Sequence, residues 1–284
     1  MSFIGIIGGS GLYNLEGISN VEEIEINTPF GKPSDRLIKG RIENKDVVFL
    51  ARHGKGHRIL PSEINFKANI YAMKSLGVRK IISASAVGSL KIEHKPMDIV
   101  IPDQFIDRTY ARESTFFGSG IVIHISFAEP ICKVMAQAVK RAADKQEIPV
   151  KLGGTYVCME GPQFSTKAES FVYRSWGADL IGMTNLQEAK LAREAEIAYV
   201  TIALVTDYDC WHESEEAVTV EMVLKYFNQN IINAKKIIKA AVLEIDAESD
   251  CRCHHALEGA ILSDKSIITE EIKEKLKPII GKYF

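Results

Sequence analysis

The sequence predicts an α/β protein of one domain, with a central mixed β-sheet flanked by helices. Three observations predict it. Apolar and β-branched runs of strand length recur from Phe3 to Val205, separated by segments whose apolar residues follow helical spacing. The run Tyr199–Val205 is apolar or β-branched throughout, which reads as a strand buried on both faces. Residues with chemistry collect just beyond these runs, where open α/β sheets bind ligands. No internal repeat or long Pro/Gly/Ser linker divides the chain.

The composition fits an ordinary globular protein: 284 residues, 46% hydrophobic, 25% charged, net charge −2. That charge gives no case for nucleic acid or an anionic membrane as partner. No signal-peptide pattern opens the chain and no apolar stretch nears the ~20 residues of a membrane span, so a cytoplasmic location is expected.

In chain order, Phe3–Ile7 is a first strand running into Gly8-Gly-Ser-Gly11, a turn whose backbone amides can form an anion nest with the Ser10 hydroxyl. A plain tight turn reads equally well there. It is not a dinucleotide fingerprint, because Asn14 stands at the third glycine position, and no Gly-Lys-Ser/Thr follows to make a phosphate loop of the Walker type. Val47–Ala51 is read as the second strand, ending in Arg52-His-Gly-Lys-Gly-His57, where cations spaced by glycines suit an oxyanion. Asn65–Leu76 has helical spacing and a Gly77 stop. Lys80–Ser89 is a third strand whose end offers Ser85 and the Ala86 backbone to a sugar or phosphate. Small residues there also permit simple close packing.

Asp98–Ile101 and Gly120–Ile125 read as further strands, Pro130–Lys145 as a helix, and Thr155–Met159 as a strand. A helix boxed by Thr166 and Glu169 follows, ending at Gly177. Leu180–Thr184 is a short strand. The helix after it begins near Asn185 with Glu188 at capping-box spacing. Thr206-Asp-Tyr-Asp209 ends the Tyr199–Val205 strand with two carboxylates, either a solvated turn or a working pair. Thr219 caps a long helix from Val220 with an apolar stripe at Val223, Phe227, Ile231, Ala234 and Ile238, and Lys235, Lys236 and Lys239 in its last turns.

The five cysteines are an odd number. Cys132 and Cys158 read as isolated core residues. Asp250-Cys-Arg-Cys-His-His255 gathers soft ligands without a visible second pair, leaving a disulfide, a metal site or an inert tail all open.

The strand ends together supply hydroxyls (Ser10, Ser85, Thr184), cations (Arg52, His53) and acids (Asp207, Asp209). No G-x-S-x-G elbow and no H-E-x-x-H helix occurs, so neither a protein nucleophile nor a catalytic metal is expected. An oxyanion pocket beside separate carboxylates suggests that inorganic phosphate is itself the nucleophile.

Gly8-Gly-Ser-Gly11, Thr28–Ser34, Ala51-Arg-His-Gly54, Asp103–Arg108, Glu160-Gly-Pro-Gln-Phe164, Gly182-Met-Thr184 and Thr206–Asp209 occur in the order found in the trimeric purine nucleoside phosphorylases. From about residue 3 to 243 the chain resembles that family, and within it the methylthioadenosine phosphorylases. The resemblance implies reversible phosphorolysis of a nucleoside, with phosphate as co-substrate, no cofactor, and a homotrimer or a pair of trimers. It implies that Ser10, Arg52, His53, Ser85, Ala86 and Thr184 bind phosphate, with Ala86 and Met183 also at the ribose. Phe164 would pack on the purine, beside Asp207, Tyr208 and Asp209. Ser165, Val220, Val223 and a neighbouring subunit's copy of His124 would set specificity.

The chemistry fits these roles. The departing purine needs a proton, for which Asp207 is the candidate acid. A carboxylate at Asp209 would accept from a 6-amino group and be repelled by a 6-oxo group. Phosphorolysis of 6-oxopurine nucleosides or methylthioinosine, and a non-catalytic nucleoside sensor, are the rival readings. The chain divides into residues 1–245, the phosphorylase domain, and 246–284, a C-terminal extension with the Cys-x-Cys element and a terminal helix.

Overall fold

The computed structural model describes residues 2–9, 12, 17–212 and 220–284, giving backbone alone at 220–225 and 227. In chain order the elements are β1 (Phe3–Gly8), β2 (Ile18–Ile24), β3 (Leu37–Ile42), β4 (Lys45–Ala51), α1 (Phe66–Ser75), β5 (Val78–Ser89), β6 (Ile99–Ile101) and β7 (Gln104–Arg108). Then follow α2 (Lys133–Lys145), β8 (Val150–Leu152), β9 (Thr155–Met159), α3 (Lys167–Ser175), β10 (Leu180–Gly182), α4 (Leu186–Glu194), β11 (Ala198–Asp207) and α5 (Val220–Glu244). Two short helices, α6 (Glu270–Lys275) and α7 (Lys277–Ile280), end the chain.

All described strands belong to one mixed sheet, and β5 is its hub. Its first half runs parallel to β1, most of its length runs parallel to β11, and its last residues pair antiparallel with β10. Every residue of β11 is buried, as the apolar or β-branched run Tyr199–Val205 predicts. Beyond β1, the sheet continues through β4, β3 and β2. Beyond β10 it continues through β9 to β7. One core cluster joins β1, β3, β4, β5, β6, β8 and β11 to α1, α2, α4 and α5, and also takes in Cys253, Leu257, Ile268, Leu276, Ile279 and Ile280 from the C-terminal segment, while β9 and β10 pack in two smaller clusters.

Several expectations need correction. The Val47–Ala51 run is the fourth strand, because β2 and β3 precede it as a hairpin whose outer strand is mostly exposed and polar. Gly120–Ile125 is not a strand. It makes only isolated bridges, Gly118 with Ile121 and Ile123 with Ile261. Asn185 is at the N-cap of α4, but Glu188 does not box it, and the Asn185 side chain makes no cap bond. The last turn of α5 carries no basic residue, since its lysines lie further back. Thr219 lies outside the described residues. The capping box of Thr166 and Glu169 is present, and Asn65 caps α1 by accepting from the Ala68 N–H.

Candidate active site

β10 and β11 flank the last residues of β5, and Arg52, just beyond β4, reaches the same strand at Ala84 O, so Arg52, Ser85, Asp207 and Asp209 gather along β5. Asp207 closes β11 opposite Gly88 of β5. A Cβ placed at Gly88 would meet Asp207 Oδ1 at 2.9 Å and Asp209 Cβ at 3.5 Å, so glycine lets the carboxylates lie against the strand. Asp207 is 6% exposed. Its Oδ1 accepts the Asp209 N–H at 2.8 Å, and its Oδ2 accepts the Thr206 hydroxyl at 2.7 Å. Asp209 has φ +53°, a conformation Asp tolerates better than most residues, and opens the 3₁₀ turn Asp209–Trp211. Burial pushes its carboxyl above the usual value, against hydrogen bonds that favour the charged form. The turn is pinned by Trp211, whose ring N–H donates to Ser89 O at 2.8 Å while the Arg174 guanidinium lies 3.5 Å from its ring centre.

Arg52 follows β4 and is buried to 1% exposure. Its guanidinium donates to both carboxylate oxygens of Glu188, to the Ser83 hydroxyl and to Ala84 O. Among the described residues, four of its five N–H donors are therefore engaged, leaving one on Nη1. Desolvation works against the Arg52 charge, but Glu188 outweighs it and raises the guanidinium above its ordinary value. Desolvation likewise works against the Glu188 carboxylate, yet Arg52 and the hydroxyls of Ser83 and Tyr199 hold it below its usual value. This is why Glu188 leaves the helix cap: a buried cation is a costlier orphan than a helix-end amide. Asn185 extends the network, donating to Ser83 Oγ and the Tyr199 hydroxyl at 3.0 Å each and accepting from Ser85 Oγ.

The His53 ring is 4.3 Å from that of His57 and stacks on it, and its Nδ1 is 2.9 Å from Ile59 O. Burial, then the Arg52 charge, pushes His53 down to about 4. Neutral His53 therefore donates from Nδ1 to Ile59 and keeps a lone pair on Nε2.

Among the other predicted residues, Thr184 is buried and Met183 and Ala86 are half-buried. The Met183 carbonyl is held by Arg112, which also donates to Gln187 Oε1 at 3.1 Å, to Met159 O at 3.2 Å, to Glu160 O and to the Glu160 carboxylate. Phe164 is 49% exposed at the mouth of the loop before α3. Ser165 is tied to the aspartate turn, its carbonyl accepting the Cys210 thiol at 3.3 Å. Tyr208 is directed elsewhere, with its hydroxyl toward Ile92 O at 3.4 Å and its ring stacked on His212. The His124 side chain is exposed and its backbone N–H bonds Ala260 O. Ser10 and the side chains of Val220 and Val223 lie outside the described residues.

Sequence reasoning missed Ser83, Arg112, Asn185, Gln187 and Tyr199 as supports, and assigned Glu188 to the wrong task. Arg112 stands alone in a polar loop, and its partners are 47 to 75 residues away, so no local spacing marks it. Cys132 is also misread as isolated: its thiol lies with those of Cys251 and Cys253, all within 4.8 Å of one another.

Residues 3–243 match the family model described as the phosphorylase superfamily, and the chain belongs to that superfamily. Its similarity to individual members is narrower. It is 59% identical to the S-methyl-5′-thioadenosine phosphorylase of Koribacter versatilis, covering 99% of this chain and 96% of the relative. It is 56% identical to the enzyme of the same name from Geobacter sulfurreducens, covering 99% and 98%. A methylthioadenosine phosphorylase crystal structure from an Antarctic soil metagenomic library superposes with a TM-score of 0.93 at 50% identity, over 98% of both chains. The methylthioadenosine phosphorylase of Schistosoma mansoni in complex with adenine superposes with a TM-score of 0.87 at 38% identity, over 94% of this chain and 100% of that one.

Proposed function

We propose that this chain catalyses reversible phosphorolysis of 5′-methylthioadenosine, giving adenine and 5-methylthioribose 1-phosphate, in purine and methionine salvage. The observation that carries this reading is the buried pair Asp207 and Asp209 at the end of β11, laid against β5, the strand that carries Ser85 and receives the Arg52 guanidinium at Ala84 O. Phosphate binds at Arg52, His53, Ser85, Ala86 and Thr184, with Ser10 supplied by the first glycine turn. Its charge stabilises the oxocarbenium-like sugar as the glycosidic bond breaks. The Nε2 lone pair of His53 receives the P–OH of monohydrogen phosphate. Met183 and Ala86 position the ribose, Phe164 covers the purine, and Ser165, Val220 and Val223 shape the 5′ pocket. Asp207 delivers the proton to the purine N7 as negative charge collects there. Asp209 lies at the base and accepts from the 6-amino group, while Tyr208 contributes only the backbone between the two carboxylates.

No cofactor takes part in this scheme. The working assembly is a homotrimer or a pair of trimers in the cytoplasm, with the exposed His124 reaching a neighbour's 5′ pocket. Residues 1–245 form the phosphorylase domain and 246–284 an extension of it.

The test is phosphate-dependent base release from methylthioadenosine, adenosine, methylthioinosine and inosine, measured side by side. Methylthioadenosine should lead. Faster cleavage of the 6-oxo substrates would sink the role given to Asp209, and no release from any of them would overturn the activity.

A further inference from the structure

We propose that Cys132, Cys251 and Cys253 form a three-thiolate site for a soft d¹⁰ cation of the Zn(II) and Cd(II) type, which clips the C-terminal segment to the start of α2. The three Sγ atoms lie within 4.8 Å of one another. Tetrahedral metal–sulfur bonds of about 2.3 Å would bring them to roughly 3.8 Å apart, a contraction of no more than about 1 Å. Cys251 and Cys253 are two residues apart at a 3₁₀ turn and form a natural chelate, while Cys132 comes from the N-cap of α2, where its side chain makes no cap bond. Cys132 and Cys253 are buried and Cys251 is half-exposed, so the fourth position opens toward water. His254 does not fill it: its Nε2 is 3.8 Å from Cys251 Sγ but 3.2 Å from Arg79 O.

The surroundings suit thiolates. Lys80 is within electrostatic reach of Cys132 and Cys251, and Arg193 of Cys253. Lys80 also bonds Asp246 O and Ser249 Oγ, so the same cation orders the segment that delivers the chelate. Binding would exchange three S–H bonds for three S–metal bonds, the protons leaving to the buffer. A single disulfide, by contrast, would leave one thiol of the three unpaired.

The site lies at the opposite end of β11 from the carboxylates. The Cys132 N–H bonds Tyr199 O and Lys80 pairs with Ala198, both at the start of β11, whereas Asp207 ends it. Nine residues of strand separate them, about 30 Å. The role is structural, so loading should change stability and leave turnover at moderate temperature alone.

The test titrates full-length, reduced, chelator-stripped protein with Cd(II) under anaerobic conditions. A thiolate-to-metal charge-transfer band should saturate at one equivalent per chain, persist in C158S, and lose its stoichiometric saturation in C132S. The loaded protein should unfold at a higher temperature than the stripped one, with base release unchanged. As a check independent of variants, Cd(II) should protect the half-exposed Cys251 of the unmodified chain from iodoacetamide while the half-exposed Cys210 still reacts. Absence of stoichiometric uptake, an undiminished band in folded C132S, or rapid formation of a disulfide that excludes Cd(II) would each overturn the proposal.

Discussion

Replacing Glu188 by Gln perturbs an ion pair whose two side chains are each 1% exposed. Arg52 stays charged, because nothing else in its network can take its proton. The new amide nitrogen takes the place of one carboxylate oxygen. At Oε2 it would confront four donors: the Ser83 hydroxyl at 2.7 Å, the Tyr199 hydroxyl at 2.8 Å, Arg52 Nη2 at 3.2 Å and Asn185 Nδ2 at 3.5 Å. Breaking a buried pair from one side costs about 3–5 kcal/mol. With an unfolding entropy near 2.1 cal/mol/K per residue, a chain of 284 residues loses about 0.6 kcal/mol of stability per degree, so Tm should fall by roughly 5–8 °C. Released from Glu188, the guanidinium loses its aim, and the KM for phosphate should rise about tenfold or more. Scanning calorimetry and phosphate saturation curves on the same preparation measure both. A Tm within about 1 °C of the parent and an unchanged phosphate KM would refute the reasoning. The double substitution R52M/E188M separates the two effects: it should recover stability relative to E188Q while phosphate-dependent turnover stays lost.

Three further outcomes are expected. D207N should lower kcat by about 10²–10⁴, and unchanged turnover would remove Asp207 from the mechanism. D209N keeps a residue that tolerates φ +53° but replaces a pure acceptor with an amide that can also donate. The preference for methylthioadenosine over methylthioinosine should shrink by about tenfold or more, and an unaltered ratio would count against Asp209 as the 6-amino reader. Burial pushes the Glu194 carboxyl up to about 7, despite hydrogen bonds from the Phe116 N–H and the Thr115 hydroxyl. The folded state then holds a proton that the unfolded chain has released. Its stabilising contribution is full below about pH 4.5 and lost as pH rises through 7, by about 3 kcal/mol. The Tm difference between pH 5 and pH 8 should narrow in E194Q, and an equal difference in both proteins would exclude Glu194 as its source.

The sequence made legible what depends on neighbours along the chain. The strands β1, β4, β5 and β11 are runs of buried apolar residues, and the carboxylates, Arg52 and Ser85 stand just at or near their ends. The hairpin of β2 and β3 escaped because β2, Ile18–Ile24, is mostly exposed and shows no alternation. Gly120–Ile125 has the β-branched composition of a strand, yet it finds only single bridges to pair with. Glu188 has the right spacing for a cap, and only the arrival of Arg52 from another strand shows that it is needed elsewhere. The same holds for Cys132, whose thiol partners come from a segment more than a hundred residues on. What spacing could not reveal was which polar groups become buried together.

The Arg52–Glu188 pair also has a consequence for how the protein is made. Glu188 is synthesised 136 residues after Arg52. At ~5–20 residues per second, roughly 7–27 s pass on the ribosome before the counter-charge exists. During that interval β1, β4 and β5 can meet, but packing their ends shut would strand a bare guanidinium in an apolar interior. The N-terminal half therefore stays open at its functional edge until α4 and then β11, which brings Tyr199, have emerged. A chain released early would carry an unclosed sheet with an exposed charge.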